Sequence, residues 1–199
     1  MTTIPALAAL WTVLALPAFL RSGDDIEEQA YRTVTRMGDL EIRFYPSATL
    51  ATVSSTARSY REVSYSGFRR IAGYIFGGNE DGRKIAMTAP VHMDIGTEGS
   101  SMSFVMPSAY ALKELPKPND PGVRIERSAD EYVAAIRFSG YASDATIRSQ
   151  SERLAGILRE KGIRPIGNFR YLGYDPPYRL MGRRNEIIVR IEWKESPAR

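Results

Sequence analysis

The chain has 199 residues, no cysteine and one histidine, His92. Disulfides, thiolate catalysis, cysteine-ligated zinc or iron–sulfur centres and thioether-attached haem are therefore excluded, and a Ser-His-Asp triad would have to use His92. The formal net charge of +4 is carried mainly by Arg interleaved with Asp and Glu, without a dense basic block, so a nucleic-acid partner is not expected.

Ile4 to Leu20 is uncharged and almost wholly apolar, and Arg21 then leads into an acidic stretch with Asp24, Asp25, Glu27 and Glu28. Roughly 17–25 apolar residues are needed to cross a bilayer, so this segment is at the short end for a span, yet longer than a typical signal-peptide core. Pro5, Pro17 and the abrupt change in polarity read as a detachable leader or membrane anchor rather than a helix of the fold. The chain then divides into 1–30, an apolar leader or anchor with an acidic spacer, and 31–199, one folded domain. Periplasmic or extracellular export, or membrane anchoring, is the expected location. A monomer is expected.

Beyond Tyr31 the signals are mostly strands and turns. Leu40, Ile42 and Phe44 alternate with Glu41, Arg43 and Tyr45, which predicts a half-buried strand ending at Pro46. Thr49 to Ser54 is a second strand. Val63, Phe68, Ile71, Ala72, Ile75 and Phe76 recur at helical spacing, predicting an amphipathic helix over Tyr60 to Phe76, stopped by Gly77 and Gly78. Strands follow at Lys84 to Ile95 and Met102 to Met106. Leu115 to Gly122 holds three prolines and cannot be regular structure. Val123 to Glu126 and Tyr132 to Phe138 are strands again. Ser143 or Asp144 caps a second helix that turns Ile147, Leu154, Ile157 and Leu158 inward and closes at Gly162. Phe169 to Tyr174 and Glu186 to Trp193 are the last strands. Each half reads strand, strand, helix, strand, strand. The predicted class is α+β: a pseudo-twofold duplicated unit forming a distorted antiparallel eight-stranded barrel with two helices outside.

Six short motifs now stand in order: KIAMTAPV from Lys84, FVMPS from Phe104, LPKPNDPGV from Leu115, IRFSG from Ile136, GYDPP from Gly173 and GRRNE from Gly182. Together with GDLEIRFY from Gly38 they resemble the SOUL/haem-binding protein family, over roughly Tyr31 to Trp193. The resemblance implies a distorted barrel with two helices. It also implies non-covalent binding of haem b or another tetrapyrrole, for transport, buffering or sensing. Such a ligand is a flat apolar plate with two carboxylates, so it needs an apolar cleft with cations at the rim. The family places that cleft between the first helix and the loop of the GYDPP and GRRNE motifs. The resemblance therefore points to Tyr65, Phe68, Arg69, Ile71, Ala72 and Ile75 on the helix, and to Leu172, Tyr178, Arg179, Leu180 and Met181 near the loop. Arg179 falls where the family has a basic residue near the propionates. Tyr65 and Gly73 stand where the family has basic ones.

Each assignment has a plainer reading beside it. Periodicity alone makes the helix stripe core. Arg183 and Arg184 beside Glu186 fit a structural ion-pair network that fixes the loop better than they fit ligand contact. Asp175-Pro176-Pro177 fits a rigid turn. Arg179 divides evenly between propionate contact and a solvated surface. His92, the one histidine, is read as an exposed or core-edge strand residue on the face opposite Val91 and Met93, and only remotely as an axial iron ligand. Tyr65 and Met181 are remote alternatives to it, so little or no protein ligation of iron is expected. No catalytic residue is assigned. The competing readings are a small-molecule hydrolase or effector-binding domain of similar fold, with Glu186, Tyr178 or Tyr174 in acid–base roles, or a membrane-attached interaction module without ligand. A raised Glu186 pKa would favour the hydrolase.

Overall fold

A computed structural model describes residues 26–97, 99–176 and 178–195. The apolar segment from Ile4 to Leu20 lies outside the described residues, as do Asp24 and Asp25 of the spacer. Among the described residues no helix is long and apolar enough to cross a membrane.

In chain order the strands are β1 (Glu27–Glu28), β2 (Arg32–Met37), β3 (Leu40–Tyr45), β4 (Thr49–Ser55), β5 (Thr88–Ala89), β6 (Val91–Ile95), β7 (Ser100–Val105), β8 (Val123–Arg127), β9 (Glu131–Phe138), β10 (Pro165–Gly173) and β11 (Asn185–Ile191). Helix α1 (Tyr60–Ile75) lies between β4 and β5, and α2 (Asp144–Glu160) between β9 and β10. The expected α+β class with two helices and a large antiparallel sheet is what forms. Nine strands make the sheet, in the order β2-β3-β9-β11-β10-β6-β7-β4-β8. The short β1 pairs separately, in parallel, with β5.

The sheet has two edges, β2 and β8, and so is open where a closed eight-stranded barrel was expected. Strand β2 was not anticipated, because RTVTRM lacks a clean apolar alternation. It adds to β3 at one end. Both edges carry charge, Arg32 and Arg36 on β2 and Arg124, Glu126 and Arg127 on β8, which discourages further pairing. The expected acidic spacer also enters the fold, since Glu27 and Glu28 form β1 against Thr88 and Ala89. The order from β3 to β8 is unchanged on reversal if β3 is exchanged with β8, β4 with β9, β6 with β10 and β7 with β11. Helix α1 packs on β4, β6 and β7, and α2 on β9, β10 and β11, in keeping with that exchange.

Local sequence accounts for both helices. The Ser59 hydroxyl accepts the Glu62 amide and the Ser143 hydroxyl accepts the Thr146 amide, so both first turns are capped. Gly77 (φ 111°) and Gly162 (φ 66°) take the left-handed turns after the last helical residues. Helix α1 sits unusually close to the sheet: a Cβ on Gly67 would lie 3.0 Å from Met102 Cβ of β7. Gly67 and Tyr74 are buried although the apolar stripe did not include them, while Phe68 and Phe76 are exposed. The irregular Leu115 to Gly122 segment is strapped to α1, through Arg70 to both Asp120 oxygens (2.7 and 2.6 Å) and the Tyr74 hydroxyl donating to the Pro116 carbonyl (3.0 Å).

The main core lies under the helices. Val63, Ile71 and Ile75 of α1 and Leu154 and Leu158 of α2 pack on Leu40, Ile42, Met102, Phe104, Ile136, Ile187 and Val189. Each such side chain contributes about 1.5–3 kcal/mol by leaving water. The sheet's other face carries a smaller cluster of Tyr45, Val133, Ala135, Leu172 and Ile188, bordered by Tyr31 and Tyr174. Strand alternation accounts for the split, with odd residues of β3 and β9 and even residues of β11 turned away from the helices.

Candidate functional site: the 174–184 connection and the exposed face of α1

Between β10 and β11 the chain runs from Tyr174 to Arg184 and carries both the GYDPP and the GRRNE motifs. Its foot is built on Glu186, which is fully buried on the helix-free face. The Glu186 carboxylate accepts Arg43 Nη1 (2.6 Å) and Nη2 (3.2 Å), Arg184 Nε (3.1 Å) and Nη2 (3.0 Å), and the Tyr174 hydroxyl (2.9 Å). Burial alone would raise its pKa, but the hydrogen bond and charge of Arg43, the charge of Arg184 and the Tyr174 hydroxyl together hold it below the ordinary carboxylate value. Burial works against the charged Arg43 as well, and Glu186 outweighs it, so the guanidinium stays ionised. Tyr174 is pushed up by burial and then by the Glu186 charge. The guanidiniums of Arg43 and Arg184 also lie over the rings of Tyr31 (4.3 Å) and Tyr174 (3.7 Å). An anionic Glu186 held by two guanidiniums is no general acid, which removes the expected mark of a hydrolase.

Two further residues shape the connection. Arg183 points inward and donates to the carbonyls of Pro176 (2.8 Å), Arg179 (3.1 Å) and Asp175 (3.2 Å). Asp175 accepts the Arg184 amide and Arg179 Nη1, the latter at 2.7 Å. Arg183 and Arg184 both fix the loop, Arg184 through the expected ion pairs and Arg183 through backbone carbonyls in place of an ion pair. The Arg179 amide donates to the Pro176 carbonyl (3.1 Å), which closes a turn that begins at Pro176. Strand β1 joins the foot through Glu28, whose carboxylate takes Arg184 Nη1 at 2.8 Å.

The tip is the opposite. Tyr178, Leu180 and Met181 are 82%, 76% and 85% exposed, the three most exposed large apolar side chains among the described residues. Arg179 stands between them with its side chain 56% exposed. Tyr141, also exposed, lies under the Arg183 guanidinium at 4.9 Å from its ring centroid.

The helix residues separate into two groups. Tyr65 and Arg69 are exposed, and Phe68 is partly so, resting on Phe104 with centroids 5.5 Å apart. Ile71, Ala72 and Ile75 are buried, and Ile71 and Ile75 belong to the main core, as periodicity alone reads them. Leu172 is buried on the sheet face away from α1, beside Val133 and Ile188. A contact between helix and connection exists at their bases: Tyr60, the first residue of α1, meets Tyr171 edge-on at 5.4 Å, and the Tyr171 hydroxyl donates to Asn185 Oδ1 (2.7 Å) at the start of β11.

His92 lies on β6 facing away from the helices, as alternation expected, but it is buried. Its Nε2 is 2.7 Å from Gln29 Oε1, just after β1. Burial first, then the Arg170 charge, push its pKa down to about 3. A ring nitrogen engaged by Gln29 beneath the β1 strap is no accessible iron ligand. Exposed donor atoms of the kind haem iron accepts include instead the phenols of Tyr65, Tyr141 and Tyr178 and the Met181 thioether.

Two concavities among the described residues are polar. One of about 380 Å³ is lined by residues such as Ser54, Asp94, Ser101 and Asn168. The other, about 190 Å³, is lined by residues including Tyr31, Arg36, Glu41, Arg43 and Arg137 beside the Glu186 network. Neither offers the apolar walls a porphyrin plate needs. The apolar surface and the cation that suit such a plate are at the connection's tip and on the exposed face of α1.

The family model described as SOUL heme-binding protein matches residues 26–190. The mouse protein named heme-binding protein 2 is 32% identical over 183 residues, covering 87% of this chain and 84% of its own length. Human heme-binding protein 2 is 33% identical over 157 residues, covering 75% and 77%. Mouse heme-binding protein 1 is 30% identical over 155 residues, covering 74% and 81%. This chain belongs to the SOUL heme-binding protein family. Those relatives are named as binding proteins, not enzymes. Among solved structures, the C-terminal domain of EcmrR superposes with a TM-score of 0.59 at 9% identity, covering 81% of this chain and 98% of that one. A hydrolase from Listeria innocua gives 0.55 at 9% identity, covering 77% and 92%. At such identities the likeness is one of fold alone.

Proposed function

We propose that this chain binds haem b or a related tetrapyrrole non-covalently, on the surface formed by Tyr178, Arg179, Leu180 and Met181 and the exposed side of α1 around Tyr65, Phe68 and Arg69. The observation that carries this reading is the gathering of the three most exposed large apolar side chains around Arg179, on a connection whose foot is buried and ion-paired. A flat apolar ligand gains by covering those side chains, and Arg179 can reach a propionate in addition to Asp175. Bound haem would supply a redox-active iron, and this chain's part is to shield one face of the plate and fix its carboxylate edge. Ile71, Ala72 and Ile75 support the helix from below, and Leu172 stiffens β10 from the other face. Transport, buffering or sensing are the roles such loose binding serves, in an exported or membrane-anchored monomer. The strand order that survives reversal supports reading the domain as a duplicated unit.

Hemin titration of the full chain tests the site. The expected outcome is a saturable Soret change at one equivalent, without a six-coordinate low-spin spectrum, and roughly tenfold weaker binding by Arg179→Glu. Absence of saturation, or undiminished binding by Arg179→Glu, sinks this site.

A further inference from the structure

We propose that the tip of the 174–184 connection is a membrane-docking element whose partner is an anionic lipid bilayer. Tyr178, Leu180 and Met181 stand almost clear of the protein, at 82%, 76% and 85% exposure, so they form a protrusion and not the wall of a groove. The protrusion is held in place: Arg183 ties three carbonyls of the connection, Asp175 ties Arg179 and the Arg184 amide, and Glu186 anchors both ends through Tyr174 and Arg184. Exposed apolar side chains on a braced loop lose little conformational freedom on entering another phase. The chemistry of the tip matches the boundary of a bilayer. Tyrosine rings favour headgroup depth, Leu and Met favour the acyl boundary, and an Arg between them reaches back to phosphate. Arg179 has one nitrogen, Nη1, on Asp175 and another, Nε, on the Met181 carbonyl at 3.3 Å, and its side chain remains more than half exposed.

The chain's course gives a second, independent reason. Glu28 is ion-paired with Arg184 at the foot of the connection, eight residues beyond the uncharged, apolar run that ends at Leu20. Eight residues span at most about 30 Å when extended. If the run from Ile4 to Leu20 is in a bilayer, the foot of the connection is held within that reach of the lipid surface. The net charge of +4 favours an anionic leaflet over a neutral one. Docking places the proposed ligand surface at the lipid boundary, into which apolar tetrapyrroles partition. That consequence rests on the tetrapyrrole reading, whereas the docking itself does not.

The absence of cysteine makes the test site-specific. Full-length Leu180→Cys is labelled with a polarity-sensitive fluorophore and mixed, without hemin, with phosphatidylcholine vesicles containing about one third phosphatidylserine. Leu112→Cys, an exposed position on a different turn, is the control. The label at 180 is expected to shift to the blue and be quenched by acyl-chain nitroxides, while the label at 112 stays in water. Adding Tyr178→Ser and Met181→Ser is expected to cut the inserted fraction roughly tenfold. A water-like label at 180 on vesicle-bound chain, or equal insertion at 112, overturns the proposal. A chain that inserts but does not titrate with hemin overturns the tetrapyrrole reading alone, and one that titrates but does not insert overturns the docking alone.

Discussion

Foot and tip of the connection between β10 and β11 divide their residues in the reverse of the usual way. At the foot, Arg43, Arg183 and Glu186 are buried, and Arg184 and Asp175 nearly so. At the tip, a few residues away, Tyr178, Leu180 and Met181 face solvent. Apolar side chains are normally what a fold buries and charges what it leaves outside. The difference teaches where each part's stabilisation comes from. The foot is held by desolvated charge in an ion-paired and hydrogen-bonded arrangement, and the tip holds nothing in the fold, so its apolar surface is free for a ligand or a lipid.

If that division is right, Glu186→Gln causes the largest loss. It leaves Arg43 and Arg184 without their shared anion in a buried place, and the unfolding free energy should fall by about 3 kcal/mol in a denaturant titration. Loss of less than a third of that would mean the foot is not where the connection is held. A second effect, smaller over the window from about pH 5 to 6.5, belongs to the strap that seals the foot, where Gln29 meets His92 beside Glu28. His92 is neutral when folded, with its pKa pushed down to about 3. The unfolded chain takes up a proton on this histidine below about pH 6.5 and the folded one does not, so stability is complete above that pH and falls as pH drops toward 3. The slope should be at most ~1.4 kcal/mol per pH unit. Between about pH 5 and 6.5 carboxylates contribute little, and His92→Gln should flatten the profile there. An unchanged slope in that variant would contradict the sealed strap. The smallest effect is expected at the tip: Met181→Ser should change the unfolding free energy by no more than about 0.5 kcal/mol. A clear destabilisation would show that the tip packs on something and would erase the contrast.

Much of the architecture was legible from periodicity and punctuation. Ser143, Gly77 and Gly162 mark the helices, and β4, β7, β8 and β9 were read to within a residue or two, while the Ser59 cap of α1 was not read. Strand β2 escaped because its residues alternate poorly, and β1 because two glutamates are read as a solvated run until Thr88 and Ala89 are known to lie beside them. The Lys84 to Ile95 stretch reads as one strand, yet Lys84 makes only an isolated bridge to Phe76, and strands form at Thr88–Ala89 and Val91–Ile95, on either side of Pro90, which has no amide hydrogen to donate. At the site, alternation separates Tyr171 from Leu172 but does not tell which face the helices cover, so Leu172 was placed with the loop residues of the expected cleft and lies behind the sheet. Arg43 was legible only as the polar half of an alternating strand. Its role depends on Glu186, 143 positions away. Long-range pairing of this kind leaves no local trace, although an Arg-Arg-Asn-Glu run entering an apolar strand was its one visible sign.

Strand β11, the last in chain order among the described residues, occupies the middle of the sheet between β9 and β10 and brings Glu186 with it. Its neighbours cannot complete their pairing until it arrives, and β10 meanwhile has an unpaired side. Final assembly of the sheet must therefore wait until β11 has been synthesised, with the sheet's centre filled after its flanks. A nascent chain halted before Asn185 should expose two central edges to whatever else in the cell forms strands, which makes timely release or chaperone cover a requirement of this strand order.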